Sequence, residues 1–130
     1  MEKLNCVLLI DDNPADNRYH QIVLEDMKIV ESIYSVENGF EALEYLTNEK
    51  SVMPQLIFLD INMPKMNGWE FLEEYKKLDP KIKNNIVIVI LSTSANPADI
   101  RKSQEIDDVS DFETKPLTVE SIENIIDHYF

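Results

Sequence analysis

At 130 residues, 44% of them hydrophobic, the chain has the size of one globular domain and enough apolar material for a core, which excludes a disordered protein and makes a second domain unexpected. A formal net charge of −13, from 25 acidic against 12 basic residues, argues against direct binding of nucleic acid, which relies on clustered Lys and Arg. No apolar run approaches the roughly 20 residues of a membrane span, the N-terminus has no signal-peptide core, and the lone Cys6 excludes an intrachain disulfide, so a cytoplasmic protein is expected.

Taken in chain order, short aliphatic runs alternate with stretches of helical period about five times. Val-Leu-Leu-Ile at 7–10 reads as a first buried strand, with Cys6 beside it as a small core residue. Ala15, Tyr19, Ile22, Val23 and Met27 then mark one face of a helix. Asn13-Pro14 opens that helix, because Asn accepts from orphan amides and Pro tolerates the first turn. Residues 29–36 read as a second strand. Asn38 can cap the next helix, with Glu41 at capping-box spacing and Phe40, Leu43 and Leu46 as its apolar stripe.

A third strand at 56–59 ends in Asp60, and the third helix carries Phe71, Leu72, Tyr75 and Leu78, with Trp69 partly packed at its start. The aliphatic run 86–91 suits a central strand buried on both faces. The helix from about Pro97 is poor in large apolar residues, having only Ile100 and Ile106 before a short strand near 109–113. The last helix has the clearest stripe, Val119, Ile122, Ile125, Ile126 and Tyr129, with Thr118 to cap it and Leu117 to staple onto Ile122. Tyr129-Phe130 either caps the core or contributes to a homodimer face. His20 and His128 lack metal-ligand spacing and are assigned to surface or helix-cap positions.

This alternation predicts an α/β fold, a doubly wound parallel sheet with helices on both faces. Ligands in such folds bind beyond the carboxyl ends of the strands. Asp11-Asp12, Asp60, Ser92-Thr93 and Lys115-Pro116 all stand at those ends. Three converging carboxylates repel one another unless a cation balances them, and an oxygen-rich site with room for water suits Mg²⁺. A carboxylate can also act as nucleophile towards a phosphoryl donor. Each of these residues alone has an ordinary reading as a turn acid, a loop lysine or a solvated hydroxyl. Their conjunction at successive strand ends carries the chemistry.

The segments Leu9-Ile10-Asp11-Asp12-Asn13, Phe58-Leu59-Asp60-Ile61-Asn62-Met63-Pro64-Lys65-Met66-Asn67-Gly68, Leu91-Ser92-Thr93-Ser94 and Phe112-Glu113-Thr114-Lys115-Pro116 resemble the receiver domain of two-component response regulators, essentially end to end. The resemblance implies the strand order 2-1-3-4-5 and one receiver domain over residues 1–130, with no output domain. It implies Asp60 as phospho-acceptor, served by a histidine kinase or phosphotransfer protein. Mg²⁺ (or Mn²⁺) would be ligated by Asp12, by Asp11 mainly through water, by Asp60 and by the Asn62 backbone carbonyl. Lys115 would pair with the Asp60 carboxylate, and a cis bond is expected before Pro116. Ser92 and Phe112 match the family's switch pair. Output would pass to a partner protein through the face made by the fourth helix, fifth strand and fifth helix. Such a protein turns over only its own phosphate and is not an enzyme acting on external substrates.

Two departures from the family pattern stand out. Thr93 replaces a more usual Ala, and no glycine precedes strand five, which leaves the turn over residues 105–109 open. The rival readings fit less well. A haloacid-dehalogenase-type phosphatase normally needs a second acid where Asn62 stands, and a flavodoxin phosphate would meet Asp11, Asp12 and Asp16. A receiver-like scaffold that takes no phosphate would have little use for the complete acid, hydroxyl and lysine set.

Overall fold

Strands β1 (Leu4–Ile10), β2 (Val30–Val36), β3 (Leu56–Asp60), β4 (Val87–Ser92) and β5 (Val109–Thr114) form one sheet in the order β2-β1-β3-β4-β5, every pairing parallel. The coordinates are a computed structural model that describes residues 3–130. Helices α1 (Pro14–Met27), α2 (Gly39–Thr47), α3 (Gly68–Lys76), α5 (Pro97–Gln104) and α6 (Val119–Tyr129) link and follow the strands, and a short extra turn, α4 (Pro80–Lys83), lies between α3 and β4. Asp79 and Pro80 start that turn, Asp79 accepting from the Lys81 amide at 2.9 Å. Among the described residues no helix is long and apolar enough to cross a membrane.

The pleat of the strands divides the core in two. Leu8, Ile10, Ile57, Leu59, Ile88 and Ile90 face a layer with Ala42 and Leu46 of α2 and Phe71, Leu72 and Tyr75 of α3. Val7, Leu9, Leu56, Phe58, Val89 and Leu91 face Leu24 of α1 and Ile122, Ile125 and Ile126 of α6, with Leu117 and Ile122 in that same cluster. This is the doubly wound arrangement that the alternating pattern predicts. The register sets Ile10 beside Leu59, Asp60 beside Leu91 and Ser92 beside Thr114, so the carboxyl ends of β1, β3, β4 and β5 finish nearly level. The chain runs outward from β1 to β2 on one side and to β3 on the other. The crevice therefore opens between Asp11 and Asp60.

Several expectations about faces need correction. In α1 the inward residues are Asn17, His20 and Leu24, while Ala15, Tyr19 and Ile22 are exposed and Val23 and Met27 only partly covered. The cause is a polar tether. Asn17 Nδ2 donates to the Asp11 carbonyl at 2.9 Å and turns that side of the helix onto the sheet. His20 is consequently buried (2% exposed) rather than on the surface, while His128 is exposed in the last turn of α6.

In α2, Gly39 faces inward because a Cβ there would stand 2.6 Å from Met66 Sδ; its neighbour Phe40 is thereby directed out and exposed. The Asn38 side chain caps Glu41 as expected, but the Glu41 carboxylate accepts from the Glu37 amide instead of closing a capping box. Val119 is exposed, and the terminal aromatics part company. Tyr129 is partly buried and donates to the Ser110 carbonyl at 2.7 Å, whereas Phe130 is exposed. The turn before β5 closes without glycine, since positive φ among the described non-glycine residues falls only at Lys28, Lys65 and Asn85.

Candidate functional site

The rim is built from strand ends. Where β1 stops, Asp11 is buried (4% exposed), and its Oδ1 accepts from the Asn13 amide at 3.0 Å. Asn13 in turn caps α1 by accepting from the Ala15 and Asp16 amides. Where β3 stops, Asp60 is also buried (6% exposed), its Oδ1 accepting from the Asn62 amide at 3.3 Å. Asp12 and Asn62 are exposed at the mouth. Oxygens of Asp11, Asp12 and Asp60 lie within 4.8 Å of one another.

Gly68 allows the loop after Asp60 to fold back: its amide donates to the Ile61 carbonyl, and a Cβ would come within 2.7 Å of the Asp60 carbonyl oxygen. The demand here is for space, since its φ is not positive.

Lys115 enters from β5. Its amide donates to the Ser92 carbonyl at 2.7 Å, and the following bond to Pro116 is cis, as the resemblance implies. The ammonium lies among three carboxylates: Asp11 Oδ2 at 2.6 Å, Asp16 Oδ2 at 3.0 Å and Asp60 Oδ2 at 3.8 Å. Lys115 thus reaches Asp60, but its hydrogen-bonding partners are Asp11 and Asp16. Asp16 was not among the expected site residues. An acid in the first turn of a helix reads as a complement to the helix dipole, and only the fold brings Lys115 to it from the far end of the chain.

The electrostatics follow from this packing. Burial, then the neighbouring Asp11 charge, push the Asp60 carboxyl up to about 6; Lys115 and the Asn62 amide pull it down more weakly, and Asp12 adds a small push upward. Burial alone would lower the Lys115 pKa, but its bonds to Asp11 and Asp16 and the Asp60 charge outweigh that and hold it above its ordinary value. The ammonium therefore stays charged, and Asp60 is the acid left carrying strain.

Ser92 is buried, its Oγ accepting from the Ser94 amide at 3.2 Å. Phe112 is partly buried against the α2–α3 side of the core and pairs in register with Ile90, two residues before Ser92. By strand alternation Ser92 and Phe112 share one face of the sheet on neighbouring strands. Thr93 is exposed beside the mouth. The structure therefore brings Asp11, Asp12, Asp60, Ser92 and Lys115 to one rim, with Asn62 in the adjoining loop and Phe112 one strand away.

Known proteins resemble this chain in sequence and in fold. A family model described as the response regulator receiver domain matches residues 7–127. Response regulator Rcp1 of Synechocystis sp. is 38% identical over 104 residues, which cover 77% of this chain and 69% of that protein. Hybrid signal transduction histidine kinase C of Dictyostelium discoideum is 28% identical over 92% of this chain, which spans only 10% of the kinase. Among solved structures, a two-component response regulator from Cytophaga hutchinsonii has a TM-score of 0.91 at 33% identity, covering 98% of both chains. The Mn(2+)-bound form of response regulator Rcp1 has a TM-score of 0.73 at 32% identity, over 95% of this chain and 90% of that one. With a profile that runs nearly end to end over this acid, hydroxyl and lysine rim, the chain belongs to the response regulator receiver domain family.

Proposed function

We propose that this receiver takes a phosphoryl group from a phosphohistidine of a histidine kinase or phosphotransfer protein onto Asp60, and that the modified domain switches its binding of a partner protein. The observation that carries the reading is the Asp60 carboxylate itself, buried at a strand end, raised to about 6 by burial and Asp11, and 3.8 Å from a charged lysine. An ionised Asp60 oxygen attacks phosphorus; the O–P bond forms as the P–N bond breaks, and the donor imidazole leaves with that electron pair. Lys115 brings positive charge to the transferring oxygens, and the Ser92 hydroxyl, freed from the Ser94 amide, donates to one of them. Phe112, on the same face and only partly buried, can move inward as the Ser92 side chain turns. Water later cleaves the acyl phosphate and restores Asp60, so each cycle consumes one phosphoryl group and leaves no external product beyond phosphate.

Asp11, Asp12, Asp60 and the Asn62 carbonyl would hold a divalent cation, Mg²⁺ or Mn²⁺. The fit rests on the donor set: three carboxylates within 4.8 Å, one of them destabilised by its neighbours, form the hard oxygen site that such ions take. When bound, the cation neutralises the carboxylates and the phosphoryl oxygens. Output is assigned to the surface of α5, β5 and α6, because α5, which follows the strand that ends in Ser92, buries only Ser103.

Intact mass after incubation with acetyl phosphate and Mg²⁺ tests this reading. One phosphoryl group is expected on the wild-type chain and none on Asp60→Asn; equal labelling of both would remove Asp60 as acceptor. Sustained release of phosphate from simple phosphate esters would instead favour a phosphatase.

A further inference from the structure

Asp16 belongs to no role described so far, yet it makes one of the two hydrogen bonds to Lys115. We propose that Asp16 is a positioning residue for Lys115, gripping the ammonium so that one N–H remains free for the phosphoryl group on Asp60. The inference rests on the reading of Asp60 above as acceptor.

An ammonium on a four-carbon stem offers three donors and has much rotamer freedom to lose. A single anchor, Asp11 at 2.6 Å, lets the group swing about that contact. The second anchor, Asp16 at 3.0 Å, comes from helix α1, on the far side of the β1–α1 turn, and two anchors define a direction. Asp60 stands at 3.8 Å, beyond hydrogen-bonding reach, so the third N–H is not committed to it.

The position of Asp16 is itself fixed locally. Its amide and that of Ala15 donate to Asn13 Oδ1 at 3.3 and 2.9 Å, and a carboxylate in the first turn gains from the helix dipole. Its side chain is 36% exposed, so holding the ammonium costs it little desolvation. Without Asp16 the ammonium is released to close the gap onto Asp60. There it would occupy the oxygen that has to attack phosphorus.

The test compares Asp16→Ala with Asp16→Asn, which remove the same charge but differ in whether an oxygen acceptor remains. The single-turnover rate of phosphoryl gain from acetyl phosphate in saturating Mg²⁺ should fall about tenfold in the alanine variant, with KM for the donor unchanged, a loss typical of a mispositioned group. The asparagine variant should recover most of that rate. In the metal-free protein, the ¹⁵N ammonium resonance of Lys115 should be sharp in wild type, kept in Asp16→Asn and broadened away in Asp16→Ala.

An alanine variant as fast as wild type, or an asparagine variant that falls equally far, overturns the proposal; the second result would assign the effect to charge alone. A wild-type chain that gains no phosphoryl group would instead remove the Asp60 assignment. The Lys115 resonance would then still decide whether Asp16 holds the ammonium.

Discussion

Helix α6 leaves the rim from β5 through Lys115 and buries Ile122, Ile125 and Ile126, whereas α5, which leaves from β4 through Ser92, buries only Ser103. The two ends of α6 are tied down as well. Thr118 and Ser121 cap its start reciprocally, and Tyr129 bonds the Ser110 carbonyl of β5. In α5 the one buried side chain donates to the Ile100 carbonyl of its own helix, and Arg101, Lys102, Gln104 and Glu105 are exposed. Burying an aliphatic side chain contributes about 1.5–3 kcal/mol, so α6 is anchored by several kcal/mol that α5 lacks. A change at Ser92 thus reaches a helix that can shift at low cost, and a change at Lys115 meets one that holds its place.

The largest effect should come from the anchored side. Ile125→Ala leaves a cavity among fully buried neighbours and should destabilise the protein by about 3 kcal/mol in urea unfolding. A loss below about 1 kcal/mol would mean that α6 is no better seated than α5, since even a partial collapse of a packed site costs more.

At the rim the same contrast changes sign, because there a buried group, Asp60, opposes folding. Asp60 binds its proton more tightly when folded, its pKa raised from 3.8 to about 6, so stability falls as pH rises through that window and the full penalty is present at pH 7.5. Asp60→Asn should therefore raise stability by about 1–2 kcal/mol in metal-free buffer, a value discounted for the weakened contact with Lys115. Mg²⁺ at millimolar concentration should raise the melting temperature of wild type and move that of the variant less. If Asp60→Asn melts lower than wild type without metal, the carboxylate is not the strained member of the cluster.

How much of this was legible beforehand depended on the kind of signal. Continuous aliphatic runs announced β1, β3 and β4, and the chemistry-bearing residues at their ends, Asp11, Asp12, Asp60 and Ser92, showed which edge to inspect; Lys115, after the less apolar β5, completed the set through the Lys115-Pro116 segment of the family pattern. Helix α6 was legible because its inward residues are the apolar ones. Helix α1 misled because two of its three inward residues, Asn17 and His20, are polar, while Tyr19 and Ile22 point to solvent. Hydrophobic periodicity cannot register a face turned inward by a side-chain bond to the Asp11 carbonyl. Phe40 misled for a related reason, the constraint lying in its small neighbour Gly39. The Asp16–Lys115 bond joins residues 99 apart in sequence, and no local pattern encodes it.

His20 gives a smaller effect with a pH signature. Burial lowers its pKa below 6.5, the nearby Asp16 charge partly opposing this, so the folded protein keeps it neutral. As pH falls below 6.5 the unfolded chain takes up a proton that the folded one resists, and stability is lost, by at most about 1.4 kcal/mol per pH unit for one group. Replacing His20 with Leu should flatten the stability profile between pH 6.5 and 5.5 relative to wild type. An unchanged slope would show that His20 takes up its proton in the folded state as readily as in the unfolded chain.

The smallest stability change should come from α5, where it is also the most informative. Ile100 is partly exposed and belongs to neither apolar cluster, so Ile100→Ala should cost less than about 1 kcal/mol in global unfolding. Its effect should appear in hydrogen exchange instead. Amides of α5 would exchange faster by local opening, while those of α6, held by its three isoleucines, keep their protection. The two helices contact different layers, which is why loosening one need not loosen the other. If α6 amides lose protection along with α5, the pair opens as a single unit, and a shift of α5 alone could not carry a signal from Ser92.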